Sequence, residues 1–287
     1  MERGVEGNLD EAGRMKIHGI CLFKNEADIV EFTLLRALAW CDHIYVLDNG
    51  SVDGTWEKVQ ALARSHPSIV PFQSSAEPFS EGLRSRVFNQ FRDLAAPGDW
   101  WCRLDADEIY IDDPREFLAA VPAAYHVVWA IQFQYYLVRE ELDRFVDLDA
   151  CLQIEREEQL PRYYRSDASE ARFFRHRRGL RWPSGAWPRH MGLTLPRRIR
   201  LRHYKYRSPG QIKMRLAVRK EAAPLVWPTF ADALEYTWDE KIGQSSEFHL
   251  DDGTGNYILE EQRLPRHLES IPFRVLKRIL HGLGIWP

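Results

Sequence analysis

Three carboxylates stand together in Leu104-Asp105-Ala106-Asp107-Glu108, directly after the apolar run Trp100-Trp101-Cys102. Oxygen donors at this density suit a hard divalent cation, Mg2+ or Mn2+, which can in turn hold a diphosphate. The apolar run follows the turn signal Pro97-Gly98 and reads as a short buried strand. A strand that runs out into acids sets them at its C-terminal edge, where ligands bind in open α/β sheets. Asp-x-Asp is a weak signal alone. A second copy, Asp147-Leu148-Asp149, has no strand leading into it and is expected to be a solvated loop.

The upstream chain supplies the elements that would position these acids. Ile17–Phe23 is an apolar strand, followed by the turn Lys24-Asn25-Glu26 with Asn25 as N-cap of a helix over Glu26–Trp40. His43–Leu47 is a second strand, ending in the tight loop Asp48-Asn49-Gly50-Ser51-Val52-Asp53-Gly54-Thr55. A helix over Trp56–Arg64, capped by Asp53 or Thr55, leads to a strand at Ser68–Gln73, a helix at Glu81–Leu94 and then the acidic strand. This alternation predicts a Rossmann-like, mostly parallel α/β sheet flanked by helices. Three strand ends would then converge on one edge, at Lys24–Glu26, Asp48–Asp53 and Asp105–Glu108. No Gly-x-Gly-x-x-Gly follows the first strand and no Gly-Lys-Ser/Thr loop occurs, which argues against dinucleotide and P-loop sites.

The 287 residues, 45% hydrophobic and 28% charged, allow one large α/β domain or one domain with an appendage. Residues 1–15 are expected to be a disordered lead-in, since Met1–Arg14 is rich in Gly and acids and lacks the apolar core of a signal peptide. Residues 16–207 would form the catalytic domain, and 208–287 a helical C-terminal extension. Cys21, Cys41, Cys102 and Cys151 are widely spaced, as in a reduced, cytoplasmic protein. Charge is lopsided: Arg162–Lys220 carries 18 Lys/Arg against Asp167 and Glu170, while the whole chain is at −3. Such a field concentrates anions, and a solvated basic surface is the alternative.

Beyond the acidic strand, Tyr125–Val138 reads as further strand and Glu140–Glu158 as a surface excursion. Leu201–Lys205 has the alternation of a strand edge, and Ser208-Pro209 starts a helix running through Lys220. Trp227–Trp238 begins another helix, and Asp251–Asn256 is a turn cluster. In Ser270–Pro287, Arg274, Lys277, Arg278 and His281 fall on one side of a helix and Phe273, Leu276, Ile279, Leu280 and Leu283 on the other. This basic amphipathic helix would either lie on an anionic membrane surface, the inner face of the membrane, or dock on the catalytic domain.

Phe23-Lys24-Asn25-Glu26, Leu47–Thr55 and Leu104–Glu108, in this order and spacing, resemble the family 2 glycosyltransferases with a GT-A fold. The resemblance covers roughly residues 16–115, and Arg202-His203-Tyr204 is similar to a segment of one bacterial branch. It implies a nucleotide-sugar donor (a UDP- or GDP-sugar), Mn2+ or Mg2+, and transfer to a glycan or lipid-linked acceptor with inversion. Carried over by position, Glu26 and Asp48 would contact the nucleoside and Asp105 the ribose. Arg86 would lie against the donor, with Arg84 as its competitor in the same helix. Asp107 would hold the metal, and His203 would complete its shell or touch the diphosphate. No Glu-Asp pair stands where the family's catalytic base commonly sits. Asp167, Glu170 and His190 are the candidates, with His190 favoured because it follows the pocket-like loop Ser184–Arg189.

Two other readings compete. The basic, aromatic-rich 162–220 stretch could track a nucleic-acid backbone, although the acidic motifs would then have no role and no nucleic acid is expected. The chain could also bind a donor without transferring it.

Overall fold

Apolar residues alternate between two destinations along the N-terminal strands, and this builds three layers. The computed structural model describes residues 14–226 and 236–287. In it β1 (Ile17–Phe23), β2 (His43–Asp48), β3 (Ile69–Ser74) and β4 (Trp100–Leu104) are mutually parallel, in the order β3-β2-β1-β4. Ile17, Cys21, Phe23, Trp100 and Cys102 point to one face, where they meet Val30 and Leu34 of α1 (Val30–Ala37) and Val59 and Leu62 of α2 (Thr55–Ser65). Ile20, Leu22, Tyr45, Leu47 and Trp101 point to the other, against Leu83, Val87 and Phe88 of α3 (Leu83–Phe91). Burial on both faces explains why these strands read as nearly continuous apolar runs. Each fully covered side chain of this size contributes about 1.5–3 kcal/mol relative to its exposed state.

After β4 the sheet changes character. A short β5 (Glu108–Tyr110) and α4 (Pro114–Ala119) precede the long β6 (Val127–Tyr136) and β7 (Tyr163–Arg175), which pair antiparallel. β7 runs antiparallel to β4, β8 (Ile199–His203) parallel to β6, and β5 antiparallel to β8. The sheet order among the described residues is β3-β2-β1-β4-β7-β6-β8-β5, with β9 (His249–Leu250) added to β7. The chain is thus an α/β protein with a Rossmann-like parallel half and a mixed half. The strand β7 lies within the basic stretch, where the charges hide its period.

α5 (Pro209–Val226) starts at the expected Ser208-Pro209 and packs Ile212 and Leu216 against Leu137, Tyr206 and Ile242. The helix expected from Trp227 falls largely on residues 227–235, and the lead-in on 1–13, outside the described residues. α6 (Ile271–Gly282) closes the chain. No helix among the described residues is long and apolar enough to cross a membrane.

A charged cleft at the strand ends as candidate active site

Register decides which residues meet at the sheet edge. Phe23 at the end of β1 pairs with Asp48 at the end of β2, and Cys21 with Leu104 at the end of β4. The segments that follow these strands therefore emerge side by side. Opposite them, Glu108 of β5 pairs with His203 of β8, and the Tyr204 N–H donates to the Asp107 carbonyl at 2.7 Å. These two links carry His203 to Asp107 across nearly a hundred residues of chain.

The first two loops lock each other. Asn25 takes a left-handed φ of 56°, which Asn tolerates better than most residues. Its N–H donates to Ser51 Oγ at 2.9 Å and its Oδ1 accepts the Val52 N–H at 2.9 Å. The Glu26 N–H donates to Thr55 Oγ1 and the Ala27 N–H to Asp53 Oδ2. Asn25 is thus a clamp between loops and not the N-cap of α1, which begins only at Val30. Asp48 is 1% exposed and accepts from the Gly50 N–H, the Ser51 N–H and the Ser74 hydroxyl, the last at 2.7 Å. Its oxygens serve the turn, and Asn49 is the neighbour that lines the cleft.

That cleft has a volume of about 510 Å3 and is walled by Lys24, Asn25, Glu26, Asn49, Arg84, Arg103, Asp105, Asp107, Glu170, Arg172, His203 and Arg215. Almost every carboxylate in it is held by a guanidinium from another element. Asp105 accepts from Arg84 of α3 at 2.6 Å and from Arg172 of β7 at 2.9 Å. Arg172, 1% exposed, also donates to Glu170 at 2.6 Å and to Glu108. Glu26 accepts from Arg207 at 2.6 Å, and Arg207 is fixed by Asp28 at 2.7 and 2.8 Å. Asp107 Oδ2 faces His203 Nε2 at 3.3 Å and Arg215 Nη1 of α5 at 3.3 Å.

These partners set the protonation states. Burial would raise the Asp105 carboxyl, but Arg84, Arg172 and Arg103 hold it well below the usual carboxylate range. Asp107 is buried too, and His203, Arg215 and Arg207 hold it well below its ordinary value. Glu170 is likewise lowered against its burial, by Arg172 and Arg103. All three are carboxylates at neutral pH, available to a metal, a hydroxyl or a proton.

The structure thus brings together Glu26, Asp105, Asp107 and His203 and leaves three expected residues elsewhere. Asp48 is enclosed by its own turn. Arg86 sits on the exposed side of α3 in an ion pair with Glu77, while Arg84, two residues earlier and 3% exposed, faces the cleft. His190 lines a different hollow, of about 360 Å3, where it stacks on Trp286 with ring centroids 4.1 Å apart. The acid Glu108 turns inward, 2% exposed, to Arg172 and Gln132. Arg172, Arg207 and Arg215 are additions that the motifs do not reveal. The one cue was an arginine inside the apolar run Ala171-Arg172-Phe173-Phe174, since a cation buried in a strand needs carboxylate partners. The second Asp-x-Asp is exposed, with Asp149 paired to Lys213.

No protein-family model matches the sequence, and none of the curated proteins does. Among solved structures, the chain is similar to the mannosyltransferase PcManGT from Pyrobaculum calidifontis in complex with GDP-Man and Mn2+. That likeness has a TM-score of 0.41 at 15% identity and covers 96% of this chain and 82% of that one. It is also similar to residues 1–349 of S. aureus TarS in complex with UDP, with a TM-score of 0.31 at 21% identity, over 43% of this chain and 36% of that one. At these identities no residue here is assigned by correspondence.

Proposed function

We propose that this protein is a GT-A glycosyltransferase that moves a sugar from a UDP- or GDP-sugar to a glycan or lipid-linked hydroxyl, with inversion and with Mn2+ or Mg2+. One observation carries the reading. At the C-terminal ends of parallel strands, Asp105, Asp107 and His203 meet Arg84, Arg172 and Arg215 in a cleft of a size suited to a nucleotide. A nucleoside diphosphate leaves an anomeric carbon only when its growing charge is neutralised, and fixed guanidinium groups do that.

Asp107 and His203 are the residues that would hold the cation. Their facing atoms are 3.3 Å apart, about the separation of two adjacent ligands on one ion. No group of three or more His, Cys, Asp or Glu able to hold a metal occurs among the described residues. Diphosphate oxygens and water would fill the remaining positions, the usual mode for Mg2+. The ion would add Lewis-acid stabilisation of the leaving diphosphate.

Glu170 is the base in this reading. It lines the cleft, its side chain is 39% exposed, and Arg172 and Arg103 keep it ionised. It takes the proton of the acceptor hydroxyl as that oxygen bonds to the anomeric carbon and the diphosphate departs with the bonding pair. Arg84 and Arg172 orient Asp105 toward the donor, and Arg215 bridges Asp107 and Glu26.

Part of the basic stretch is committed inside the protein, which disfavours the nucleic-acid reading. Within the basic stretch Arg172 and Arg207 are buried, and Arg200 and Arg202 are paired with Asp112 and Glu157. They do not offer a free phosphate-tracking row.

Calorimetric titration with UDP and GDP, with and without Mn2+, tests the donor site; failure of both to bind under either condition rejects it. Glu170→Gln should keep nucleotide affinity and lower transfer at least roughly a hundredfold. Unchanged transfer would remove Glu170 from the mechanism. Nucleotide binding by the parent without transfer to any acceptor would favour a donor-binding protein.

A further inference from the structure

The terminal helix α6 is mounted the opposite way from an ordinary surface helix. Its partly buried side is the polar one. Lys277 donates to the Gly192 carbonyl at 2.8 Å and to Glu269 at 2.5 Å, and His281 Nδ1 lies 2.9 Å from Arg177. Arg177 also donates to the Pro287 carbonyl, and Trp286 stacks on His190. These contacts fix the helix at its middle and at its end.

The apolar side faces away from the protein. Ile271 is 75% exposed, Val275 49%, Leu276 45%, Ile279 51% and Leu283 69%. At 3.6 residues per turn these five fall on one continuous stripe, opposite Lys277 and His281. A stripe of this kind in water is costly and marks a surface that something covers.

Charge identifies the occupant. Arg278 is exposed at the border of the stripe. The loop carrying exposed Arg178, Arg181 and Arg189 adjoins the end of the tail, with Gly179 against Pro287. No Asp or Glu occurs between Ala171 and Lys220. A second copy seated symmetrically on the stripe would bring these arginines against their equivalents. A bilayer with anionic headgroups instead accepts both parts, the apolar side chains at the acyl boundary and the arginines among the phosphates. Twelve residues make a helix of about 18 Å, too short to span and suited to lying in the plane.

We infer that the outer face of α6, together with Arg178, Arg181 and Arg189, is a lipid-binding surface that seats this protein on an anionic bilayer. The inference is independent of the donor site and needs no transferase activity to test. The full-length protein is floated with phosphatidylcholine vesicles and with mixed phosphatidylcholine–phosphatidylglycerol vesicles, and its mass in solution is read by light scattering. The parent should float with the mixed vesicles and much less with the neutral ones. Ile279→Glu with Leu283→Glu, both at exposed positions, should lower binding by roughly tenfold or more. Arg178→Glu with Arg189→Glu should abolish the preference for anionic vesicles. Circular dichroism melting and nucleotide titration, unchanged in both variants, separate lost binding from lost folding. Absence of the parent from the floated fraction overturns the inference. So does a dimer that the Ile279/Leu283 variant breaks while vesicle binding is unaffected.

Discussion

Two walls of the cleft satisfy their carboxylates in different ways. On the wall made by the β2 loop, behind the Asn49 that lines the cleft, Asp48 and Asp53 accept from backbone N–H groups and hydroxyls two or three residues away, or from a neighbouring strand or loop. On the wall made by β4, β7 and α5, Asp105, Asp107 and Glu170 accept from the side chains of Arg84, Arg172, Arg215 and His203. A carboxylate enclosed by backbone donors is committed, because releasing it strands N–H groups that nothing else can reach. One held by side-chain guanidinium groups facing a cleft can share them with a bound phosphate and accept a cation on its free lone pairs. In the reading proposed above, the first wall is scaffold and the second carries the chemistry, although both carry the same residue types.

The largest test of this contrast is Asp107→Asn. It keeps the shape of the second wall and removes the charge that a metal would need. Transfer should fall on the order of a thousandfold, and the Mn2+-dependent part of nucleotide affinity should vanish. Arg207 keeps Asp28 and Glu26, so the fold should hold, with a lower melting temperature at neutral pH because His203 and Arg215 lose the Asp107 charge. Near-parental transfer at saturating metal would place the chemistry elsewhere.

Asp105→Asn probes the same wall through stability. It leaves Arg84 and Arg172 short of a partner in a buried place, a loss of about 3 kcal/mol at neutral pH. Because the folded-state value of Asp105 is depressed, its stabilisation is fully present above the unfolded value of about 3.9 and is lost as pH falls below it. The gap between parent and variant in urea denaturation should therefore narrow on acidification from pH 4. A gap that stays constant would show that the Asp105 charge is not what stabilises.

On the first wall, Asp48→Ala should cost about 2 kcal/mol of folding stability, from the three donors it abandons. Nucleotide affinity, measured well below the variant's melting temperature, should change by less than about tenfold. A stable variant with no nucleotide affinity would reverse the assignment of the two walls. Arg86→Ala is the smallest expected effect: among the described residues its only acidic partner is the exposed Glu77 at the rim of the cleft, and melting curve and affinity should match the parent's.

Much of the parallel half was legible because its signals are local. The nearly continuous apolar runs of β1 and β4, the two glycines and Asn49 of the Asp48–Thr55 loop and the Ser208-Pro209 helix start are properties of neighbouring residues. They place Glu26, Asp105 and Asp107 on one edge before any coordinates are known. At Asp48 and Arg86 the same locality gives the residue type but not the partner. Asp48 faces its own turn, and the two-residue offset on α3, over half a turn, decides that Arg84 looks inward and Arg86 outward.

What only the tertiary structure decided is which distant charges meet. Arg172 reaches Asp105 across 67 residues and Arg215 reaches Asp107 across 108, each fixed by the packing of β7 or α5 against the site. No periodicity encodes such a pairing, since it depends on the register of β4 on β7 and of β5 on β8. The sequence determined that the terminal helix has a basic side and an apolar side. Packing against Arg177, His190 and Gly192 decided that the basic side faces in, because those groups offer hydrogen-bond and stacking partners there, while the apolar side joins no core cluster among the described residues.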